Sequence, residues 1–143
     1  MQIKIKRFDK SLPLPAYKSK GAACLDLYAR VTTSIEAGKV AYIPLNFAVE
    51  LPKNYWLMLV SRGSTHKLGI MAAHGIGIGD WDYCGDNDEY LFPALNFTDK
   101  TVTIEKGTRI GQMMIQKVEP VDLIEVDHLE SSDRGGFGTT GTK

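Results

Sequence analysis

No stretch of this chain sustains the apolar spacing of a helix longer than two turns. Its apolar residues come in short runs, several strictly alternating, cut apart by glycine and proline, of which the sequence holds 14 and 6. That pattern leaves few folds open. "QIKIKRF", Gln2 to Phe8, alternates and predicts a strand with one wet face. Further strands are predicted in "ACLDLYARV", "NYWLMLVSR", "EYLFPALNF", "TVTIEKG", "TRIGQMMIQKV" and "VDLIEVDHL". Two more lie in "TTSIEAGKVAYIPLNFAVELP", with Gly38 at the turn between them. Pro13 and Pro15 hold "SLPLPAYKSKG" open as a loop. "GSTHKLG" is compatible with one short helical turn after Ser64. Many short strands with Gly and Pro turns predict a closed barrel or sandwich. At 143 residues the chain suits one domain with a modest core, and it contains no repeat.

Composition removes several functions. Lys plus Arg equals Asp plus Glu at 17 each, so broad salt-driven binding of nucleic acid is not expected. A small local anion site remains compatible with that balance. No run of about 18 apolar residues occurs, and Lys4, Lys6 and Arg7 interrupt the first strand, so neither a membrane span nor a signal peptide is expected. Cys24 and Cys84 have no metal-ligand spacing, which fits a reducing cytoplasm but leaves one distant disulfide open.

Five polar stretches interrupt the strand pattern. Asp26 sits between Leu25 and Leu27 in an apolar run, either as a functional carboxylate or as an outward residue or turn cap on an edge strand. "SRGST", Ser61 to Thr65, sets a fork-shaped donor beside a glycine and three hydroxyls, a composition that favours an oxyanion and is also common in loops. In "GIGIGDWDY" alternate glycines deny side chains to one face, so a planar group can approach the backbone. Asp80 and Asp82 there share a face if the segment is extended, or else belong to a solvated hairpin turn. "TRIGQ" holds Arg109 and Gln112 in a strand-like run. The ending "SSDRGGFGTTGTK" has the glycines, hydroxyls and single cation that wrap a phosphate chain, with Phe137 available to cover a flat ring. His66, His74 and His128 form no metal pattern and read as surface residues. The glycine string is no P-loop, because the Gly–Lys–Ser/Thr ending and the long helix are missing.

Taken in order, "ACLDLYA", "SRGST", "GIGIGDWDY", "TRIGQ" and "RGGFGTTG" resemble the five motifs of the trimeric deoxyuridine triphosphatases. The "GDND" after the third motif and the "DRGG" before the tail are most similar to the short form of Gram-positive bacteria and their phages. The resemblance implies an all-β distorted barrel or jelly roll. It divides the chain into a β domain, 1–130, and a flexible arm, 131–143, that closes over the nucleotide. It implies hydrolysis of dUTP to dUMP and pyrophosphate by water attacking the alpha phosphorus. By the same resemblance, Asp80 orders that water, Arg62 and Gln112 hold phosphate, and Asp26 holds Mg2+ through water. Gly63 and Ser64 stand in the second, phosphate-binding motif. Gly77, Ile78 and Gly79 stand in the third, whose backbone meets the base. Tyr83 lies under the deoxyribose and leaves no space for a 2′-hydroxyl. Arg134 grips the gamma phosphate, Phe137 covers uracil, and Gly138, Thr139 and Thr140 complete the phosphate-binding tail. The implied assembly is a cytoplasmic homotrimer with no nucleic acid or membrane partner. In it, the segments carrying Asp26 and Tyr83, those carrying Arg62 and Gln112, and the tail come from three different subunits.

Several positions depart from the motifs. Gly63 stands where the family has a phosphate-contacting serine, unless Ser64 takes over its role. Gly79 replaces a β-branched residue and is expected to loosen the strand that holds Asp80. Cys24, Cys84 and His74 replace a glycine, a basic or polar residue, and an asparagine. These departures keep a second reading open, a weak or inactive relative that binds an unidentified regulatory protein. A dCTP deaminase on the same fold is a third; it needs a glutamate as proton carrier in the pocket.

Overall fold

The computed structural model describes residues 1–136, and every statement of structure below concerns those residues. Eleven short strands carry the fold: β1 (Lys4–Arg7), β2 (Leu25–Tyr28), β3 (Thr33–Ile35), β4 (Val40–Pro44), β5 (Phe47–Glu50), β6 (Tyr55–Ser61), β7 (Ile70–Ala72), β8 (Ile76–Gly79), β9 (Leu91–Asn96), β10 (Val102–Ile104) and β11 (Arg109–Lys117). The only helical element is a 3-10 turn, Thr65–Leu68, which follows Ser64 as the sequence predicts and ends at Gly69 in the left-handed region. The chain is all-β.

Every pairing between these strands is antiparallel. The largest sheet has the order β2-β11-β6-β8, and a second runs β4-β9-β7. Two ribbons, β1-β5 and β10-β3, complete the structure. Leu27, Leu57, Phe47, Phe92, Ile70 and Ile110 are fully buried between these layers. Burying such side chains contributes roughly 1.5–3 kcal/mol each, which makes this core the main source of stability.

Asn96 is a polar exception inside that core, with no exposed surface. Its amide donates to the carbonyls of Ile35 and Lys100, both at 2.8 Å, and its oxygen accepts from the backbone and the hydroxyl of Thr98. It thereby fastens the end of β9 to β3.

The predicted strand "VDLIEVDHL" does not form. After Val118 donates to Asn54, residues 119–136 contain no regular element. Leu123 is 93% exposed and Leu129 84%. A strand needs a neighbour to take up its backbone groups, and no strand of this chain lies beside the segment. The expected strand has no partner here.

Replacing Asn96 by Ala should take one hydrogen bond from the Ile35 carbonyl and leave the Thr98 backbone donor without its partner. We expect a loss of about 2–3 kcal/mol, read as a lower urea midpoint with an unchanged denaturant slope.

Candidate active site

The first cluster grows from an irregularity in β11. Arg109 lies opposite Tyr28 of β2, but Gly111, not Ile110, lies opposite Leu27. The extra residue is a β-bulge. Ile110 and Gly111 both become buried, and the alternation resumes out of phase. Arg109 and Gln112, three apart, therefore reach one face. Gln112 is in register with Asp26 on one side and Val60 on the other.

Asp26 is only 7% exposed, which excludes the outward-residue reading. One of its oxygens accepts from Arg62 Nε at 3.1 Å and the other from Arg109 at 2.9 Å. Two cations thus share one carboxylate, and they carry more positive charge than it cancels. The loop after β6 fixes Arg62 further. The backbone N–H of Arg62 donates to the Thr65 hydroxyl, and that hydroxyl donates to the Ile110 carbonyl, both at 2.9 Å. Thr65 is 1% exposed. Arg62 also donates to Ser64 Oγ at 3.3 Å, while Gln112 donates to the Ser61 carbonyl at 3.2 Å. Nothing lies within 4 Å of where a side chain at Gly63 would begin. The result is an anion cradle with Ser64 already on the guanidinium.

The second cluster surrounds β8. A cleft of about 400 Å3 is lined by Gly77, Ile78, Gly79, Asp80, Tyr83 and Tyr90, among others. β8 is the edge of its sheet, so one row of its backbone groups is unpaired. The glycines admit the protein's own side chains close to the strand. A Cβ at Gly77 would come within 2.8 Å of the His74 ring, and one at Gly79 would collide with the Tyr90 ring. Gly79 therefore does not leave the strand slack as expected from sequence: Tyr90 fills the space. Asp80 and Asp82 are not extended, because Tyr83 donates back to the Asp80 carbonyl in a turn.

Tyr83 is half-exposed and donates its hydroxyl to the Glu89 carbonyl at 3.2 Å. Glu89 is held in turn by two bonds from Arg30, at 2.7 and 2.8 Å. Burial, then the charges of Asp88 and Glu89, push the Tyr83 phenol above its ordinary value. Burial raises Tyr90 further. The thiols of Cys24 and Cys84 are both free.

These clusters stand apart. Asp26, Gln112, Val60 and Ile76 form one rung across four strands. Three strand spacings plus the four residues from Ile76 to Asp80 place Asp80 roughly 20 Å from Asp26. Asp26 groups with Arg62 and Gln112 in the same chain and stands apart from Tyr83, contrary to the grouping that the family resemblance implies. Ser64 belongs to the Asp26 cluster, and Gly77, Ile78 and Gly79 to the Asp80 cleft. Arg134 is exposed on the segment beyond β11. Phe137, Gly138, Thr139 and Thr140 lie outside the described residues. Sequence reasoning left Arg109, Thr65 and Tyr90 out of the site. Arg109 was signalled by its place in "TRIGQ", whereas the bulge that aims it left no mark in the sequence.

No three His, Cys, Asp or Glu side chains among the described residues converge to hold a metal ion. A carboxylate offers about four acceptor sites, and Asp26 uses two on arginine. The remainder suits the water shell of a divalent cation brought in with a polyphosphate, not an all-protein cage.

A carboxylate shared by two arginines and a separate aromatic cleft place this chain in a class of all-β proteins with two distinct candidate sites. The comparisons narrow that class: a sequence model of dUTPase matches residues 10–142, and the chain belongs to the dUTPase family. It is 43% identical over 145 residues to the SPbeta prophage-derived deoxyuridine 5'-triphosphate nucleotidohydrolase YosS of Bacillus subtilis strain 168, covering 100% of both chains. Its fold matches a dUTPase mutant of Staphylococcus bacteriophage 80alpha with dUpNHpp, at a TM-score of 0.85, 22% identity and 98% coverage of each chain. It also matches a mutant dUTPase of phage phi11 of S. aureus with a structural Mg(II) ion, at a TM-score of 0.80 and 18% identity, over 92% of this chain and 100% of that one. No helix among the described residues is long and apolar enough to cross a membrane.

The Tyr90 hydroxyl is the one buried side-chain polar atom without a hydrogen-bond partner among the described residues. Tyr90→Phe should stabilise the free protein by about 1 kcal/mol at neutral pH. The folded phenol ionises above its ordinary value of 10.0, so the unfolded chain loses its proton first and wild-type stability falls as pH rises through that value. Urea midpoints across this range should fall less steeply for the Phe variant.

Proposed function

We propose that this chain hydrolyses dUTP to dUMP and pyrophosphate, in a site completed between copies of the chain. What carries the reading is the pairing of an over-charged arginine cradle with a cleft that presents Asp80, Tyr83 and an unpaired strand edge. Uracil suits that edge, because its ring offers both donors and acceptors to backbone groups. The Tyr83 ring then lies under the sugar. Arg62, with Ser64 and Gln112, takes the phosphates. Asp80 accepts the proton of a water that attacks the alpha phosphorus, the bond to the bridging oxygen breaks, and pyrophosphate leaves. Mg2+ carried by the triphosphate would supply charge compensation, and Asp26 would be the residue to hold it through water.

The separation of roughly 20 Å between Asp26 and Asp80 is too wide for one alpha phosphorus to be served by both clusters of a single chain. A homotrimer resolves this by setting the cradle of one subunit against the cleft of another. Two apolar surfaces support the assembly: exposed Ile76 and Ile78 on the sheet, and the unpaired Val121, Leu123, Ile124, Val126 and Leu129. Residues 131–143 then act as an arm, with Arg134 on the gamma phosphate and Phe137, Gly138, Thr139 and Thr140 over the nucleotide. A cytoplasmic setting fits two free cysteines.

Asp80→Asn keeps the shape of the carboxylate and loses the proton acceptor. Pyrophosphate release from dUTP should drop about 10²–10⁴-fold, while a nonhydrolysable dUTP analogue still binds and light scattering still gives about three chain masses. Excess chelator should halt the wild type. A loss below tenfold removes Asp80 from this role, and a monomeric active enzyme removes the shared site.

Ser64 accepts a bond from the Arg62 guanidinium at 3.3 Å, which supports its taking the role left empty at Gly63. Ser64→Ala should lower kcat about tenfold or more, the worth of one charge-assisted bond. Gly63→Ser should be neutral or harmful despite the open space around it. Steady-state kinetics on both variants reads the contrast, and an unaffected Ser64→Ala enzyme contradicts the assignment.

A further inference from the structure

Tyr83 is tethered at its tip, but a hydroxyl bond to Glu89 leaves the ring free to turn about its long axis. Its plane must be set by what touches the ring. Tyr90 does this, meeting Tyr83 edge-on with centroids 5.3 Å apart and planes at 86°. Tyr90 itself has little freedom. It stacks on Phe47 at 5.0 Å and 5°, and Phe47 has no exposed surface. The backbone of Tyr90 is pinned on both sides, donating to the Phe47 carbonyl at 3.0 Å and accepting from the Leu45 N–H at 2.9 Å. Its remaining side lies against Gly79, where any Cβ would meet Tyr90 Cε1 at 2.5 Å and Cζ at 2.8 Å. Three aromatic rings thus run from the buried core to the cleft, and the glycine gives the middle one its room.

We propose that Tyr90 is a positioning residue for substrate specificity: it fixes the plane of the Tyr83 ring, and through it the rejection of ribonucleotides, with Gly79 as the necessary gap. This rests on the reading that Tyr83 lies under the sugar. A ring beneath a sugar excludes a 2′-hydroxyl only while its plane is held, since a tilted ring opens space for one more oxygen. The hydroxyl of Tyr90 has no partner, so the ring contacts, not a hydrogen bond, do the holding.

The test compares kcat/KM for dUTP and UTP in wild type, Tyr83→Ala, Tyr90→Phe, Tyr90→Leu and Gly79→Ala. Loss of folded protein lowers both values alike and cancels from their ratio. Tyr90→Leu should reduce the dUTP preference about tenfold or more, in the range of steric discrimination by one small group. Tyr90→Phe keeps both ring contacts and should keep the ratio within about twofold of wild type on the same scale. Gly79→Ala pushes the same ring from the strand side and should shift the ratio as Tyr90→Leu does. It also carries the test if Tyr90→Leu fails to fold. If Tyr83→Ala loses the preference while Tyr90→Leu and Gly79→Ala keep it, Tyr90 is not the positioning residue and Tyr83 retains its place. If Tyr83→Ala keeps the preference, the sugar reading fails and this inference falls with it.

Discussion

One carboxylate shared by two guanidinium groups organises half of the candidate site. Asp26 is buried, and a buried charge is tolerated only when paired and hydrogen-bonded. Arg62 and Arg109 satisfy it, one on each oxygen. The pairing exists only because β11 carries a bulge that brings Arg109 onto the face of Gln112 and Asp26. Since one negative charge faces two positive ones, the cradle retains a net attraction for an anion. Thr65 holds the loop of Arg62 to the buried carbonyl of Ile110, so the same bulge anchors both arginines.

The other half is organised by absence of side chains. The alternate glycines of β8 invite the reading that a ligand approaches the backbone, yet the space directly beside them is taken by His74 and Tyr90. What remains free for a ligand is the strand edge and the rim at Asp80 and Tyr83. Glycine thus acts twice in one strand. It lets internal rings pack tightly beneath the cleft, and it keeps bulk away from the cleft itself. The departure at Gly79 is matched by an aromatic residue eleven positions later, so the two are read together and not as separate losses.

Much of this was legible beforehand, and the failures have definite causes. The all-β class follows from short alternating runs, and the turn after Ser64 follows from its polar composition. Asp26 stands out as a carboxylate in an apolar run, but that run leaves an outward residue equally open, and only the two arginine bonds account for its burial. Arg109 stands out in "TRIGQ" but falls outside the expected site, because strict alternation puts residues 109 and 112 on opposite faces and a bulge has no clear signature here. Tyr90 reads as an ordinary core aromatic, since its significance lies in contacts with Phe47, Gly79 and Tyr83 that are distant in sequence. The grouping of Asp26 with Tyr83 failed because shared membership of a site says nothing about which chain supplies each part; strand register does.

The failed strand is the most informative of these cases. "VDLIEVDHL" has the apolar content of a strand, and in the single chain it is left exposed and unpaired. Apolar surface of this kind calls for a partner. The separation of the cradle from the Asp80 cleft calls for one as well, on independent grounds of strand spacing. Under the homotrimer reading both demands have a single answer: neighbouring copies cover the exposed segment and bring the two halves of the site together. Assembly and catalysis would then be coupled by geometry, since dissociating the subunits would remove the arginines from the water proposed for Asp80.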